Sequence, residues 1–422
     1  MGPRNPAELP SKSTGEYDPK EAEPRPIPKG EVCSPEHVGY NLALKQFSLA
    51  QLIHFYHKFE EQGRISETTT ARQVMQDIVL PETAKDVCRY IDIMLTGAPK
   101  MADAMLCHWW GTSFRDVVLG AAEYASGLLS RSELEAKTFG GGLGQTALHT
   151  TFWLHLLSAN HHVKHTPGQI LCETDKVSQL VRHAGALVVA LDSELVTLTR
   201  ARCLYEVFEA VQAKRPVHFC GRLAPKFKDG IAATRVKAVQ DCETTNPKYQ
   251  EWLLDNIQNK ALLGQFNRQV AEVVSIGVCK LALGHAMADT ADSVDLVQLF
   301  RNGGDPNVAL TRRGERALTL SLQRGRTAHV AALLDARADP NVACTGGWTA
   351  LHSAVQLGLR QLAEALLAAG ADANAAAYTG RTPLMEAAER KNAELVRMLT
   401  AAGGDPALRD TAGFSVAELL AR

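Results

Sequence analysis

Three short runs collect side chains that chemistry often uses. Cys107-His108-Trp109-Trp110-Gly111, Ser158-Ala159-Asn160-His161-His162 and Asp192-Ser193-Glu194 each follow an apolar stretch, and Glu206 stands a helical segment after the last. Together they offer a thiol, imidazoles, hydroxyls, carboxylates and indole rings able to stack on a planar ligand. Five histidines (His149, His155, His161, His162 and His165) fall close together, and His161 and His165 have i,i+4 spacing. With Cys107 or Cys172 they form a conceivable zinc set. There is no HExxH and no CxxC, so the stretch is read as a polar loop and no metal is expected. The glycine run at residues 140–146 resembles a phosphate loop. It precedes a strand-like run instead of following one, and Gln145 stands where a lysine is needed, so it is read as a crossover loop. No Ser-His-Asp or Cys-His arrangement can be argued from spacing alone.

The elements that must position these residues are legible as alternating patterns. Strand-like runs at residues 104–108, 150–157, 186–191 and 216–219 alternate with helical patterns at 114–129, 175–182 and 199–213. A fifth strand is expected at 234–239, followed by an amphipathic helix at 247–257. Alternation of this kind predicts a parallel sheet covered on both faces, of a size that fits one flavodoxin-like unit. Ligands of such sheets lie beyond the carboxyl ends of the strands, where the three reactive runs fall. Before them, Leu42, Leu44, Phe47, Leu49, Leu52, Ile53, Phe55, Tyr56 and Phe59 recur at helical spacing. A second helix is expected from about Thr68, stopped or turned by Pro81, and a third over residues 82–95.

Composition narrows the function class. The chain has 422 residues, 45 basic and 46 acidic, with a formal net charge of -1. Two or three domains are expected at that length. Near-neutrality argues against a dedicated nucleic-acid binder and against a polybasic membrane patch. No apolar run in the sequence reaches the roughly 20 residues that span a bilayer, and residues 1–30 hold no secretory apolar core. Nine scattered cysteines suit free thiols in a cytoplasmic setting. Residues 1–30 contain seven of the 18 prolines and ten charged residues, so a disordered tail is expected over residues 1–34.

The last third is periodic. Gly314, Gly347, Gly380 and Gly413 recur every 33 residues. "GWTALHSAV" and "GRTPLMEAA" open two of the units, and "GGDPN", "RADPN", "GADAN" and "GGDPA" close the turns. Period, opening and turn together resemble the ankyrin repeat, which implies a solenoid that binds a protein partner on its concave face. "GERALTLSL" departs from the pattern, so that unit is expected to pack less regularly. "GQTALHTTF" from Gly144 looks like another opening, but no Leu-rich helix or turn follows, and it is read as leading into a strand.

In the middle, "ALVVALDSEL" followed by Cys203-Leu204-Tyr205-Glu206-Val207 resembles the third strand and following helix of a TIR domain, and "HWWG" with "SANHH" is similar to TIR-like proteins of single-celled algae. The resemblance implies a flavodoxin-like module that self-associates, and an NAD-cleaving carboxylate at Glu206. Departures are Arg202 in place of the family's Trp, and His-Trp-Trp at the first strand end. NAD is then a substrate, with no bound cofactor. The chemistry is cleavage at the nicotinamide–ribose bond, where a carboxylate steadies an oxocarbenium-like ribose. Trp109 or Trp110 would stack on a ring, Arg200 or Arg202 would meet the pyrophosphate, and Asn160 and Ser193 would bond ribose. The full expected set is His108, Trp109, Trp110, Gly111, Ser158, Asn160, Asp192, Ser193, Arg200 and Cys203, with Glu206 facing a cleft that it shares with residues 108–111 and Asp192. The plainer alternatives are half-core indoles, solvated arginines, Glu206 on a solvent face with Glu209, and Cys203 as a small buried hydrophobe.

The expected organisation is α/β plus all-α: tail 1–34, helical segment 35–100, TIR-like α/β domain 101–262, connecting helix 263–289 and ankyrin repeats 290–422. The expected protein is an intracellular signalling scaffold that docks a protein partner, forms a homo-oligomer through its α/β domain, and cleaves NAD. A non-catalytic interaction scaffold and a nucleoside-processing glycosyl transferase on the same sheet are the rival readings.

Overall fold

Apolar runs of strand length assemble into one five-stranded sheet. Its members are β1 (Phe47–Ser48), β2 (Ala104–His108), β3 (Thr151–Leu154), β4 (Leu187–Leu191) and β5 (Val217–Gly221). The computed structural model describes residues 46–86, 88–94, 101–127, 129–159, 177–224, 236–244, 250–251, 253–255, 257, 263–288, 296–301, 304–311 and 313–421. The spatial order is β1-β3-β2-β4-β5. β2 to β5 are mutually parallel, and β1 closes one edge antiparallel to β3 through the pairs Phe47–Phe152 and Ser48–Thr151.

Side-chain alternation splits the sheet residues between two cores. Ala104, Leu106, Phe152, Leu154, Val188, Ala190 and Cys220 point to one face, under α1 (Leu49–Glu61) and α2 (Phe114–Ser126). Met105, Cys107, Trp153, Leu187, Val189, Leu191 and Phe219 point to the other, under α3 (Ala201–Gln212) and α4 (Leu263–Ala288). Every residue of β3 and β4 is buried, as expected for strands covered twice. Phe47, Leu52, Phe55, Val74, Ile78 and Ile91 share the first core, so the stretch before residue 100 packs as part of the α/β unit.

Several boundaries differ from expectation. The second expected strand ends at Leu154, and residues 155–158 turn into a short helix (His155–Ser158). Over 236–241, where a fifth strand was expected to finish, the chain is extended and then makes a 3-10 turn (Val239–Asp241). Residues 140–144 form a loop, and a short helix (Gln145–Leu148) leads into β3. Pro81 does not stop its helix. The chain passes through a π turn (Met75–Val79) and resumes at Leu80–Thr83, with Pro81 near the N-terminus. Proline leaves the carbonyl four residues back without its N–H. That carbonyl, Asp77 O, accepts from Arg64 Nη2 at 2.6 Å. The helix expected over 82–95 is instead two pieces, the second being Tyr90–Met94. The expected tail lies outside the described residues.

α4 is long and apolar enough to cross a membrane by length and composition, which contradicts the expectation that no segment is. Its apolar residues have another use here. Val270, Val274, Val278 and Leu281 sit in the core beneath α3, β5 and the first repeat helix. Gly277 lets it close on the sheet, because a Cβ there would fall 2.1 Å from the Phe219 ring.

The repeat stack continues that core without a break. After α5 (Leu296–Arg301), inner and outer helices alternate: α6 (Ala317–Gln323), α7 (Thr327–Asp335), α8 (Ala350–Gln356), α9 (Arg360–Ala368), α10 (Pro383–Glu389), α11 (Ala393–Ala401) and α12 (Val416–Leu420). Gly347 and Gly380 adopt φ of +78° and +72°, and a Cβ at either would strike the next finger's backbone. Neighbouring turns are tied by one repeated bond. Asn307, Asn341 and Asn374 each accept through Oδ1 from the amide of Asp339, Asp372 and Asp405, all at 2.7 Å. The deviant unit is not irregular: residues 317–322 are all buried, and α6 starts 33 residues before α8 in step with the rest. Arg316 stands where the next units have a capping Thr, and its guanidinium bonds Asn307 O instead.

Candidate functional site

Counting only the parallel strands in chain order, their spatial order is 2-1-3-4, so the winding reverses between β2 and β4. Crevices in doubly wound sheets open at that point, beyond the carboxyl ends. β2 delivers Cys107 and His108 there, and β4 delivers Asp192 just past its end.

Asp192 is consumed by its own turn. Oδ1 accepts from the amides of Glu194 and Val196 at 3.1 and 2.9 Å. Oδ2 accepts from the amide and hydroxyl of Thr197 at 2.8 and 2.7 Å. Four donors leave this carboxylate little capacity for ribose. It starts a 3-10 turn (Val196–Thr199) that aims the chain into α3, with buried Leu195 held at φ 58°. Ser193 is exposed. Among the described residues, Asp192 accepts from its own turn and Glu206 accepts from Arg202, so no hydrogen bond joins the two.

α3 turns Glu206 inward. It is 3% exposed, and its Oε1 accepts from Arg202 Nε at 3.0 Å, one helical turn earlier. The solvent-face alternative is therefore wrong for both Glu206 and Glu209, which are buried together. Cys203 is buried too and donates from Sγ to the His108 carbonyl at 3.7 Å. The Cys107 thiol is held well above its ordinary range, first by the Cys203 thiol beside it, then by burial and by the Glu206 charge. Cys107, His108, Arg202, Cys203 and Glu206 thus form one cluster where α3 crosses the end of β2.

His108 is the unusual member. Burial, reinforced by the Arg202 charge, pushes its pKa down to about 3, so the ring is neutral at physiological pH. Nε2 is buried without a hydrogen-bond partner among the described residues. The ring lies edge-on to Trp110, with centroids 5.6 Å apart. The unfolded chain protonates this histidine near 6.5, so below that pH the unfolded state binds more protons. Stability attributable to His108 is then lost as pH falls from 6.5 toward 3. About 2 kcal/mol of the loss expected between pH 6.5 and about pH 5 belongs to this residue, at 1.36 kcal/mol per unit. His108→Phe should flatten urea-unfolding free energy across that interval. An unchanged slope would show that another group is responsible.

The remaining expected residues sort into separate contacts. Arg200 lies over the Trp109 ring, Cζ 4.6 Å from the centroid, and pairs with Glu243 through Nη1 at 3.1 Å. It is held between those two partners instead of projecting toward a pyrophosphate. Gly111 lies under the Trp109 ring, where a Cβ would come within 2.3 Å. Trp110 sits between His108 and His155. Ser158 is fully buried, with an unpartnered Oγ among the described residues. Asn160, His161, His162, His165 and Cys172 lie outside the described residues.

Sequence reasoning missed two participants. Arg202 as the Glu206 counter-ion was available from its i,i+4 spacing. Glu243 had no local signal, because it reaches Arg200 from 43 residues away.

Known families match only the repeat region. A model described as ankyrin repeats (3 copies) matches residues 284–377, reaching back into α4, and one described as ankyrin repeat matches residues 379–411. No TIR-domain model matches the α/β unit. No curated protein matches the chain.

Proposed function

We propose that the chain is an intracellular docking protein whose ankyrin repeats hold a protein partner. The carrying observation is the Asn ladder. The same 2.7 Å bond recurs at three successive turns, so the units present one continuous, preformed surface. A preformed surface binds without a large ordering cost. Its finger tips are open, and Tyr378 is 78% exposed at one of them. Cross-linking of full-length protein in its native cytosol, compared with Tyr378→Asp, tests the face. Loss of the cross-linked partner is expected in the variant, and undiminished capture would move the docking face off the tips. The cytoplasmic reading is supported by seven described cysteines, all free.

We further propose that the α/β unit is a flavodoxin-like, TIR-like module that self-associates and hydrolyses NAD to ADP-ribose, nicotinamide and a proton. The 2-1-3-4 strand order supports the fold reading. The inward Glu206 beside neutral, unpartnered His108 at the reversal point supports the catalytic one. Self-association rests on the resemblance. In this scheme Glu206 steadies the ribosyl cation as neutral nicotinamide leaves and water attacks. Nicotinamide release from NAD by the concentrated, purified chain is the expected result. Its absence leaves docking as the whole function.

A further inference from the structure

A cleft of about 160 Å³ opens on the free side of β5, between α2, α4 and the first turn of the repeat stack, and shares no lining residue with the Glu206 cluster. Lys280 of α4 lines it. This ammonium is half-buried and has no hydrogen bond or ion pair among the described residues. Burial pushes its pKa down. A Cys220 thiolate would offset this charge, but burial and the Glu123 charge drive that thiol well above 9, so it is neutral. Glu123, the carboxylate of the cleft, is already committed. Oε2 accepts the Gly221 amide at 3.0 Å, and Oε1 lies 3.4 Å from His285 Nε2.

A cation withdrawn from water without a counter-ion is costly, and an arriving anion removes that cost. The rest of the lining is largely apolar, with Tyr124 of α2, Phe219 of β5 and Leu310 on the repeat side. A cavity of about 150 Å³ holds one six-membered ring. We propose that this cleft binds a small organic acid, its carboxylate on Lys280 and a ring-sized apolar body between the sheet edge and the repeat stack. Because α4, β5 and Leu310 all line it, an occupant clamps the two units together.

Benzoate is the probe, titrated into the full chain by calorimetry and followed by thermal unfolding. Saturable binding with half-saturation at about 1 mM is expected for a ligand this small, with a rise in unfolding temperature. Lys280→Met keeps the stem and removes the charge. It should weaken binding at least about tenfold while leaving the free protein no less stable, since the ammonium has no partner to lose. Lys280→Gln serves as a second variant with the same expectation. Equal binding of neutral benzamide would reduce the site to apolar filling and overturn the proposal. Lys280-dependent binding of inorganic phosphate as strong as that of benzoate would overturn the organic-acid assignment. Unaltered benzoate binding in both variants would overturn the role of Lys280.

Discussion

Glu206→Gln is expected to lower nicotinamide release by about two to three orders of magnitude and to destabilise the fold at the same time. In the proposed hydrolysis, the first effect follows from removing the charge assigned to steady the ribosyl cation. The second follows from the Arg202 guanidinium, which loses the negative charge of its 3.0 Å partner. Breaking a fully buried pair costs about 3–5 kcal/mol, and Arg202 is 25% exposed, so about 1–3 kcal/mol is the appropriate expectation. The two effects separate in the double variant Arg202→Met/Glu206→Gln. It removes both charges, so stability should recover while turnover stays at the level of Glu206→Gln. Turnover that persists in Glu206→Gln would sink the catalytic assignment, whatever happens to the unfolding midpoint. A stability unaffected by the substitution would mean that the pair contributes nothing to the fold.

Gly277→Val is expected to cost about 3 kcal/mol and to loosen both units together. The new side chain begins where the Phe219 ring already is, and overpacking of this kind typically costs 1–3 kcal/mol, occasionally more. Helix propensity pulls the other way, but by less than about 1 kcal/mol. α4 lies against β5 on one side and the first repeat helix on the other, so both should report the change. Unfolding midpoints from near-ultraviolet and far-ultraviolet signals should fall in parallel. Phe219→Ala in the Gly277→Val background should return part of the loss by vacating the clash. A midpoint equal to that of the unsubstituted chain would show that α4 can shift at no cost.

Much of the architecture was readable because it repeats or alternates. The 33-residue glycine period corresponds to turns at positive φ. The runs around Ala104 and Leu187 are strands because each is apolar on both alternating faces, and that pattern has few competing interpretations. β1 escaped notice for the converse reason. Phe47 continues the helical spacing of α1, and two residues carry no period of their own. The candidate cluster was only half legible. Glu206 and Cys203 sit on the apolar side of α3, so their inward direction can be read from spacing. Asp192 looked available because its four donors come from a turn whose geometry is not written in any pattern. Arg200 looked like an anion ligand because its partners, Trp109 and Glu243, are remote in sequence.

The pairing of Phe47 with Phe152 has a consequence in time. Repeat units meet neighbours 33 residues away, whereas β1 finds its partner about a hundred residues downstream, a separation that slows folding. At the roughly 5–20 residues per second of synthesis, β1 waits about 5 to 20 seconds before β3 exists. Throughout that wait the aromatic stripe Phe47, Phe55, Tyr56 and Phe59, buried in the finished protein, has no sheet to cover it. The nascent chain is therefore most in need of a chaperone at this stripe, well before the first repeat has left the ribosome.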